Sequence, residues 1–258
     1  DVQAAAGVFG AGGVDEEFMS RLDAKGEEAI EAVEDALADA DSVETAIVRG
    51  DPREAILEYA EKHDVELLAM GTHGRTGLSR YITGSVTEHV VRTAEVPVLT
   101  VRATDRSEVV DGYDEILVPT DGSEPASAAV EHAIAIAQKA GARVHAVNVV
   151  DVGNVTASPT YTLPSEVIAE LEENGQTMTE GIASQARAAG LDAVTEVREG
   201  FAARTLLDYA EENDVDAIAM GTAGRTGLDR YLLGSTTERV IRHSDVPVLA
   251  VNARERSD

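Results

Sequence analysis

The chain contains the same stretch of sequence twice, 150 residues apart. Residues 65–101 read VELLAMGTHGRTGLSRYITGSVTEHVVRTAEVPVLTV, and residues 215–251 read VDAIAMGTAGRTGLDRYLLGSTTERVIRHSDVPVLAV, with 23 of the 37 positions identical and no gap. The offset is far longer than the period of about 20–50 residues that stacked repeat proteins use. The sequence therefore predicts two copies of one domain: a first repeat at residues 1–102, a linker at 103–112 and a second repeat at 113–258.

Short apolar runs alternate with helical patterns through the second repeat. Strands are predicted at 116–118, 144–150, 193–198, 217–220 and 247–251, and helices from Ser123 or Glu124 to near Gly141 and at 165–189, 202–213 and 235–243. This alternation favours an α/β fold in which a parallel sheet carries helices on both faces.

The first repeat offers only the later part of this pattern. Its predicted helices span 15–39, 52–63 and 85–92, and its predicted strands span 43–48, 67–70 and 98–101. Roughly 40 residues that hold the first two strands of the second repeat have no counterpart in the first. We therefore expect an incomplete first repeat that exposes apolar surface, and a natural protein with further residues before Asp1, since the sequence lacks an initiator Met.

The composition excludes several classes of function. Asp and Glu number 48 against 21 Lys and Arg, so the net charge is −27 and argues against binding to nucleic acid or to anionic membranes. The absence of Cys excludes disulfides, cysteine-bound zinc and thiol catalysis. No signal peptide or membrane span is visible, which predicts a cytoplasmic protein. The acidic excess with only three lysines favours a salt-loving source, and an acidic mesophilic protein is the alternative.

Each repeat carries a glycine motif, G-x-x-G followed after nine residues by G-S. Its residues are Gly71, Gly74, Gly84 and Ser85 in the first repeat and Gly221, Gly224, Gly234 and Ser235 in the second. The motif joins a short strand to a helix, a junction whose backbone N–H groups and helix dipole attract phosphate. Hydroxyl groups that can donate to phosphate belong to Ser85, Thr87, Ser235, Thr236 and Thr237.

Two other interpretations of this motif remain open. The glycines could simply form a turn, and the pairs Ser85–Glu88 and Ser235–Glu238 have the spacing of a capping box. Arg75 and Arg225 could contact phosphate or lie in solvent. The full spacing, present twice, favours phosphate binding.

The glycine motif, the run ILVPTDGS at residues 116–123 and the closing VPVL at 246–249 together resemble the universal stress protein family over nearly the whole chain. The resemblance implies tandem domains of the adenine-nucleotide α-hydrolase-like type, each with a five-stranded parallel sheet of order 3-2-1-4-5. It implies a bound ATP with Mg²⁺ or Mn²⁺, an Asp121 placed at the adenosine, and Val149 and Met220 beside the base. It also implies that the two repeats, or two chains, pair through their last strands.

The predicted nucleotide-binding residues fall at strand ends and in the glycine loops. In the second repeat they are Pro119, Thr120, Asp121, Val149, Met220, Gly221, Gly224, Arg225, Gly234, Ser235, Thr236 and Thr237. Their first-repeat counterparts are Met70, Gly71, Gly74, Arg75, Gly84, Ser85, Val86 and Thr87, which lack partners equivalent to Asp121 and Val149. Asp121 has a competing interpretation as a helix-entry residue.

The resemblance implies a regulatory role for ATP in a stress response. No His pattern suits a metal, so a cation would be held by the ATP phosphates. No catalytic residue is identified. The alternatives are a slow ATPase or phosphotransferase, which needs a group that positions the attacking water, and a regulatory module that acts without ATP.

Overall fold

The structure, a computed structural model, describes residues 16–38, 40–72, 84–102, 112–151, 164–223 and 233–252, and the statements below concern these residues. The chain divides into two compact units, Asp1–Tyr59 and Ala60–Asp258. This division falls inside the first repeat, so the last two described strands of that repeat belong to the same unit as the second repeat.

The described elements alternate as the sequence predicts in the second repeat. The strands are β1 Leu68–Gly71, β2 Val98–Val101, β3 Glu115–Pro119, β4 Arg143–Asp151, β5 Ala193–Gly200, β6 Ala217–Gly221 and β7 Val248–Val251. The helices are α1 Glu16–Ala36, α2 Pro52–Lys62, α3 Ser85–Thr93, α4 Glu124–Ala140, α5 Ser165–Ala188, α6 Ala202–Glu212 and α7 Ser235–His243.

The strands form one sheet of order β1-β2-β7-β6-β3-β4-β5. The five strands of the second repeat have the order β5-β4-β3-β6-β7, which is the expected 3-2-1-4-5. The sheet has seven strands where five were expected, because β1 and β2 of the first repeat extend it beyond β7. All neighbouring strands run parallel except β2 and β7.

Helix α4 begins and ends at the signals that the sequence contains. The Ser123 hydroxyl accepts a hydrogen bond from the Ala126 N–H and caps the first turn, with Pro125 inside that turn. Gly141 ends the helix in the left-handed conformation, with φ 77°. The buried face of α4 carries mostly Ala, which lets the helix approach the sheet closely; Val118, Val144, Ala146 and Leu249 lie in the same core.

The strands β2 and β7 join the two repeats edge to edge. Val98 lies opposite Ala250, and the Thr100 hydroxyl donates to the Val248 carbonyl at 3.1 Å. The side-chain amide of Asn252 donates to the Ala94 carbonyl at 2.7 Å, at the end of α3. The equivalent first-repeat residue, Arg102, hydrogen-bonds Asp245 beyond the end of α7. Each repeat therefore holds the end of a helix that belongs to the other.

The unit Asp1–Tyr59 lacks the predicted strand at 43–48, so that prediction is wrong. Residues 42–49 have no regular structure, and Val43, Ile47 and Val48 are 39–53% exposed. In the second repeat the equivalent strand β5 pairs with β4 along its whole length. No described strand pairs with residues 43–48.

A polar cluster closes the amino-terminal end of the sheet. His145, only 3% exposed, lies between the Glu115 carboxylate, 2.5 Å from Nε2, and the Tyr209 hydroxyl, 2.8 Å from Nδ1. Burial alone would raise the pKa of Glu115, but hydrogen bonds from Arg143 and His145 outweigh it and lower that pKa. Burial and the nearby Glu196 charge raise the pKa of Tyr209 to about 12.

Candidate nucleotide-binding site

A cleft opens at the carboxyl ends of β3, β4 and β6, where the winding of the sheet reverses direction. Ligands of open α/β sheets bind at this place. The cleft has a volume of about 280 Å³. Its described lining residues are Pro119, Thr120, Asp121, Ala126, Val147, Val149, Asp151, Ala202, Leu206, Met220, Gly221, Ala223, Gly234, Ser235, Thr236 and Thr237.

The turn from β3 into α4 is fixed by its own hydrogen bonds. The Thr120 N–H donates to the Val147 carbonyl at 2.9 Å, and the Thr120 hydroxyl accepts from the Gly122 N–H at 3.1 Å. Asp121 Oδ1 accepts from the Ser123 N–H at 3.0 Å. Asp121 is therefore a helix-entry residue and also a wall of the cleft, so its two interpretations do not exclude each other.

In each repeat, one backbone hydrogen bond joins residues on the two sides of the glycine loop. In the second repeat the Gly234 N–H donates to the Thr222 carbonyl at 2.7 Å, and the Thr222 N–H donates to β7. In the first repeat Gly84 and Thr72 make the same 2.7 Å hydrogen bond. Both repeats thus present the start of the following helix in the same local arrangement.

The hydroxyls of Thr237 and Thr87 both bind the carbonyl oxygen of the glycine that ends the preceding strand. Thr237 Oγ1 donates to the Gly221 carbonyl at 2.8 Å, and Thr87 Oγ1 donates to the Gly71 carbonyl at 2.8 Å. A hydroxyl has a single hydrogen, so neither group donates to phosphate in this arrangement. The expectation that they are phosphate donors is corrected here: these two residues tie the helix start to the preceding strand.

The capping-box interpretation of the motif is wrong. Ser235 and Ser85 are the first helical residues of α7 and α3, and no described side chain caps either helix. Glu238 and Glu88 instead accept hydrogen bonds from Arg242 and Arg92, four residues further on. The first-turn N–H groups therefore lack the side-chain acceptor that this interpretation required, which suits binding of an anion.

Gly221 has a packing role that the sequence does not reveal. A Cβ atom there would lie 2.5 Å from the Pro125 carbonyl carbon and 2.7 Å from the Ala126 nitrogen. Only glycine lets the end of β6 approach the first turn of α4 this closely. The residue therefore shapes the cleft floor whether or not its backbone contacts phosphate.

The structure brings ten of the twelve predicted second-repeat residues to one cleft. They are Pro119, Thr120, Asp121, Val149, Met220, Gly221, Gly234, Ser235, Thr236 and Thr237. Gly224 and Arg225, like Gly74 and Arg75, lie outside the described residues. In the first repeat, Met70 and Gly71 end β1, and Gly84, Ser85, Val86 and Thr87 lead into α3, with no described counterpart of Asp121 or Val149 beside them.

The sequence interpretation missed several residues of the cleft wall. Val147 and Asp151 lie two residues either side of Val149 on β4, so strand alternation places all three on one face and could have identified them. Ala202 and Leu206 lie one turn apart at the start of α6, a spacing that indicates one helix face. No sequence signal distinguishes Ala126 or Ala223 from other alanines.

The described cleft wall has no cationic side chain and two carboxylates, Asp121 and Asp151. Across the described residues, no group of three or more acidic or His side chains is arranged to hold a metal ion. Among the same residues, no helix is long and apolar enough to cross a membrane. Among the described residues of the wall, backbone N–H groups and hydroxyls are the groups that can donate hydrogen bonds to an anion.

These features define a tandem α/β protein with a ligand cleft at a strand switch point. The family model for the universal stress protein family matches residues 2–102 and 112–252. The chain belongs to the universal stress protein family. The two matched segments correspond to the two repeats.

Known relatives match about half of the chain, and one solved structure matches nearly all of it. Universal stress protein MJ0531 of Methanocaldococcus jannaschii is 43% identical over 144 residues, 54% of this chain and 82% of that protein. MJ0577 of the same organism is 30% identical over 156 residues, 55% of this chain and 96% of that protein. A universal stress protein structure from Archaeoglobus fulgidus covers 95% of this chain and 82% of its own, with 26% identity and a TM-score of 0.68. That match extends across both repeats of this chain.

Proposed function

We propose that the second repeat binds ATP with Mg²⁺ or Mn²⁺, and that the nucleotide acts as a regulatory ligand of a stress-response protein. The observation that carries this proposal is the α7 start, where uncapped first-turn N–H groups and Ser235 border a cleft at the sheet switch point. Such a helix start attracts phosphate through its N–H groups and dipole.

The volume and the apolar wall of the cleft suit the nucleoside part of ATP, and the cleft is too small to enclose the whole nucleotide. Its volume of about 280 Å³ lies near the lower end of the range of about 300–1,000 Å³ for small-molecule sites. Val147, Val149, Leu206 and Met220 supply an apolar wall for a base. In the proposed arrangement the base lies against this wall while the phosphates extend over the α7 start.

The cation completes the charge balance of the proposed site. With Asp121 and Asp151 in the wall, an unneutralised triphosphate would meet like charge. Mg²⁺ or Mn²⁺ bound to the phosphates supplies the positive charge that the described wall lacks. The residues of the chain then bind and orient: first-turn backbone N–H groups of α7, at Ser235 and Thr236, meet phosphate, and the Ser235 hydroxyl donates one hydrogen bond.

The pairing of the two repeats belongs to the same proposal. Antiparallel pairing of β2 with β7 places two copies of the domain edge to edge within one chain. We propose that this seam replaces the contact that two single-domain chains would make, so that one chain acts as a dimer-like unit.

Analysis of co-purified nucleotide tests the proposal. The full chain is purified in high salt, extracted with acid, and the released nucleotides are separated by chromatography. ATP in the extract supports the regulatory-ligand proposal. ADP that accumulates on incubation with added MgATP indicates turnover instead, and a protein that neither carries nor binds nucleotide contradicts the proposal.

A further inference from the structure

Behind the cleft, one side chain joins the β3–α4 turn to helix α5. Asn148 on β4 is 6% exposed, and its Nδ2 donates to the Thr120 carbonyl at 2.7 Å. Strand alternation puts Asn148 on the opposite face from Val147 and Val149, so it supports the cleft without lining it. Because the Thr120 N–H already donates to Val147, both backbone polar groups of Thr120 are held by β4.

The position of the Asn148 amide is set by a glycine of α5. A Cβ atom on Gly175 would lie 2.5 Å from Asn148 Oδ1 and 3.1 Å from its Cγ. These distances leave no room for a methyl group unless the amide moves. Gly175 is buried, so the amide is confined between the helix and the strand.

We propose that Asn148, held in place by Gly175, is a positioning residue for the nucleoside end of the site. The inference rests on the proposed nucleotide function. By holding the Thr120 carbonyl, Asn148 fixes the turn that carries Asp121 and Pro119 into the cleft. Movement of α5 relative to β4 would therefore reach the ligand through a single hydrogen bond.

The proposal separates two ends of the site. Asn148 acts on the β3–α4 turn, and the phosphates would lie at the α7 start on the other side of the cleft. Weakening the Asn148 hydrogen bond should therefore affect adenosine and MgATP by the same factor. A change at Ser235 should affect MgATP alone.

The test measures dissociation constants of MgATP and adenosine for the full chain by calorimetry in high salt. Asn148→Leu keeps a similar side-chain volume but cannot donate, and Asn148→Ala removes the group. We expect both variants to bind each ligand about three- to tenfold more weakly, the effect of losing one hydrogen bond. Circular dichroism at the titration temperature measures the folded fraction, since a purely structural role would lower stability and leave the affinity of folded protein unchanged.

A matched pair of glycine substitutions on α5 tests the role of the helix. Gly175→Ala should weaken both ligands, whereas Gly181→Ala, whose Cβ would meet no atom within 4 Å, should leave both affinities unchanged. Both changes raise helix propensity equally. In the Asn148→Ala background, Gly175→Ala should cause no further loss of affinity, because the remaining close contact of its Cβ, Val197 on β5 at 3.1 Å, is not part of the described cleft wall.

Each outcome has a distinct meaning. A wild-type protein that binds neither ligand overturns the proposed function and this role of Asn148 with it. A wild-type protein that binds both ligands, with Asn148→Leu binding them equally well, overturns the positioning role alone. A loss confined to MgATP also overturns it, because the effect would then lie at the phosphates.

Discussion

At the scale of single residues, the two threonines of the glycine motifs stabilise the local fold. Thr237 and Thr87 hold the carbonyl of the glycine that ends each strand, at 2.8 Å in both repeats. Ser235 and Ser85 make no capping contact and begin their helices. The sequence could identify the motif but not divide these tasks, because all four side chains carry the same hydroxyl chemistry.

Ser235→Ala tests whether the Ser235 hydroxyl binds the ligand. We expect the substitution to weaken MgATP binding about tenfold, because a hydrogen bond to a charged group is lost. Ser85→Ala is the matched control in the first repeat, and it should leave affinity unchanged because Ser85 has no described counterpart of Asp121 or Val149 beside it. Calorimetric titration measures the MgATP affinity of both variants. An equal loss of affinity in the two variants would contradict the assignment of the ligand to Ser235 in the second repeat.

The Glu115–His145 contact predicts how stability depends on pH. The pKa of Glu115 is lowered in the folded state, so its contribution is present above the unfolded value of about 4.3 and disappears as pH falls through the folded value. We expect wild type to exceed Glu115→Gln in free energy of unfolding at neutral pH. That difference should narrow as the pH falls below about 4.3.

Urea denaturation of both proteins at several pH values measures this difference. Comparing the two proteins cancels the acid response of the other carboxylates. If the difference in free energy of unfolding between wild type and Glu115→Gln does not change as the pH falls below about 4.3, folding does not lower the pKa of Glu115 and the prediction is wrong.

At the scale of elements, the sequence predicted most of the fold that carries the site. Helices α4 and α7 and strand β2 match their predicted positions closely because caps, glycines and apolar runs mark them locally. The strand at 43–48 fails for a non-local reason: its apolar pattern resembles that of β5, yet strand formation needs a hydrogen-bonding neighbour. Local pattern therefore identified strand-forming residues but could not supply their partner.

The candidate site was predictable to a similar extent. Strand ends, the glycine motif and the family resemblance together predicted ten of the cleft residues. The contribution of α6, through Leu206, and the buried link from Asn148 to Thr120 depend on helices packing against the sheet. No short sequence pattern encodes those contacts.

At the scale of the whole molecule, two features matter: the net negative charge and the contacts where β2 and β7 join the two repeats. The chain carries a net charge of −27, which repels itself at low ionic strength. Across the seam, Asn252 accepts from Thr222 at the base of the glycine loop and donates to the end of α3. Thr222, at the end of β6, is thus linked through Asn252 to the end of α3 in the first repeat.

The charge predicts a strong response of stability to salt. Raising KCl from 0.1 M to 1 M shortens the screening length from about 10 Å to about 3 Å, which removes most of the repulsion between surface carboxylates. We expect the melting temperature to rise by several degrees or more. Scanning calorimetry measures it, and sorbitol at equal osmolality is the control because it does not screen charge. An equal rise in sorbitol would show that charge repulsion is not the cause.

The central claim is that the complete second repeat binds ATP through a helix start and a cation carried by the ligand. Equilibrium dialysis of the full chain against ATP in high salt, with Mg²⁺ and then with EDTA, tests it most directly. The account predicts saturable binding of one ATP per chain with Mg²⁺, and affinity at least tenfold lower with EDTA. No saturable binding under either condition, or binding that is indifferent to the cation, would contradict it.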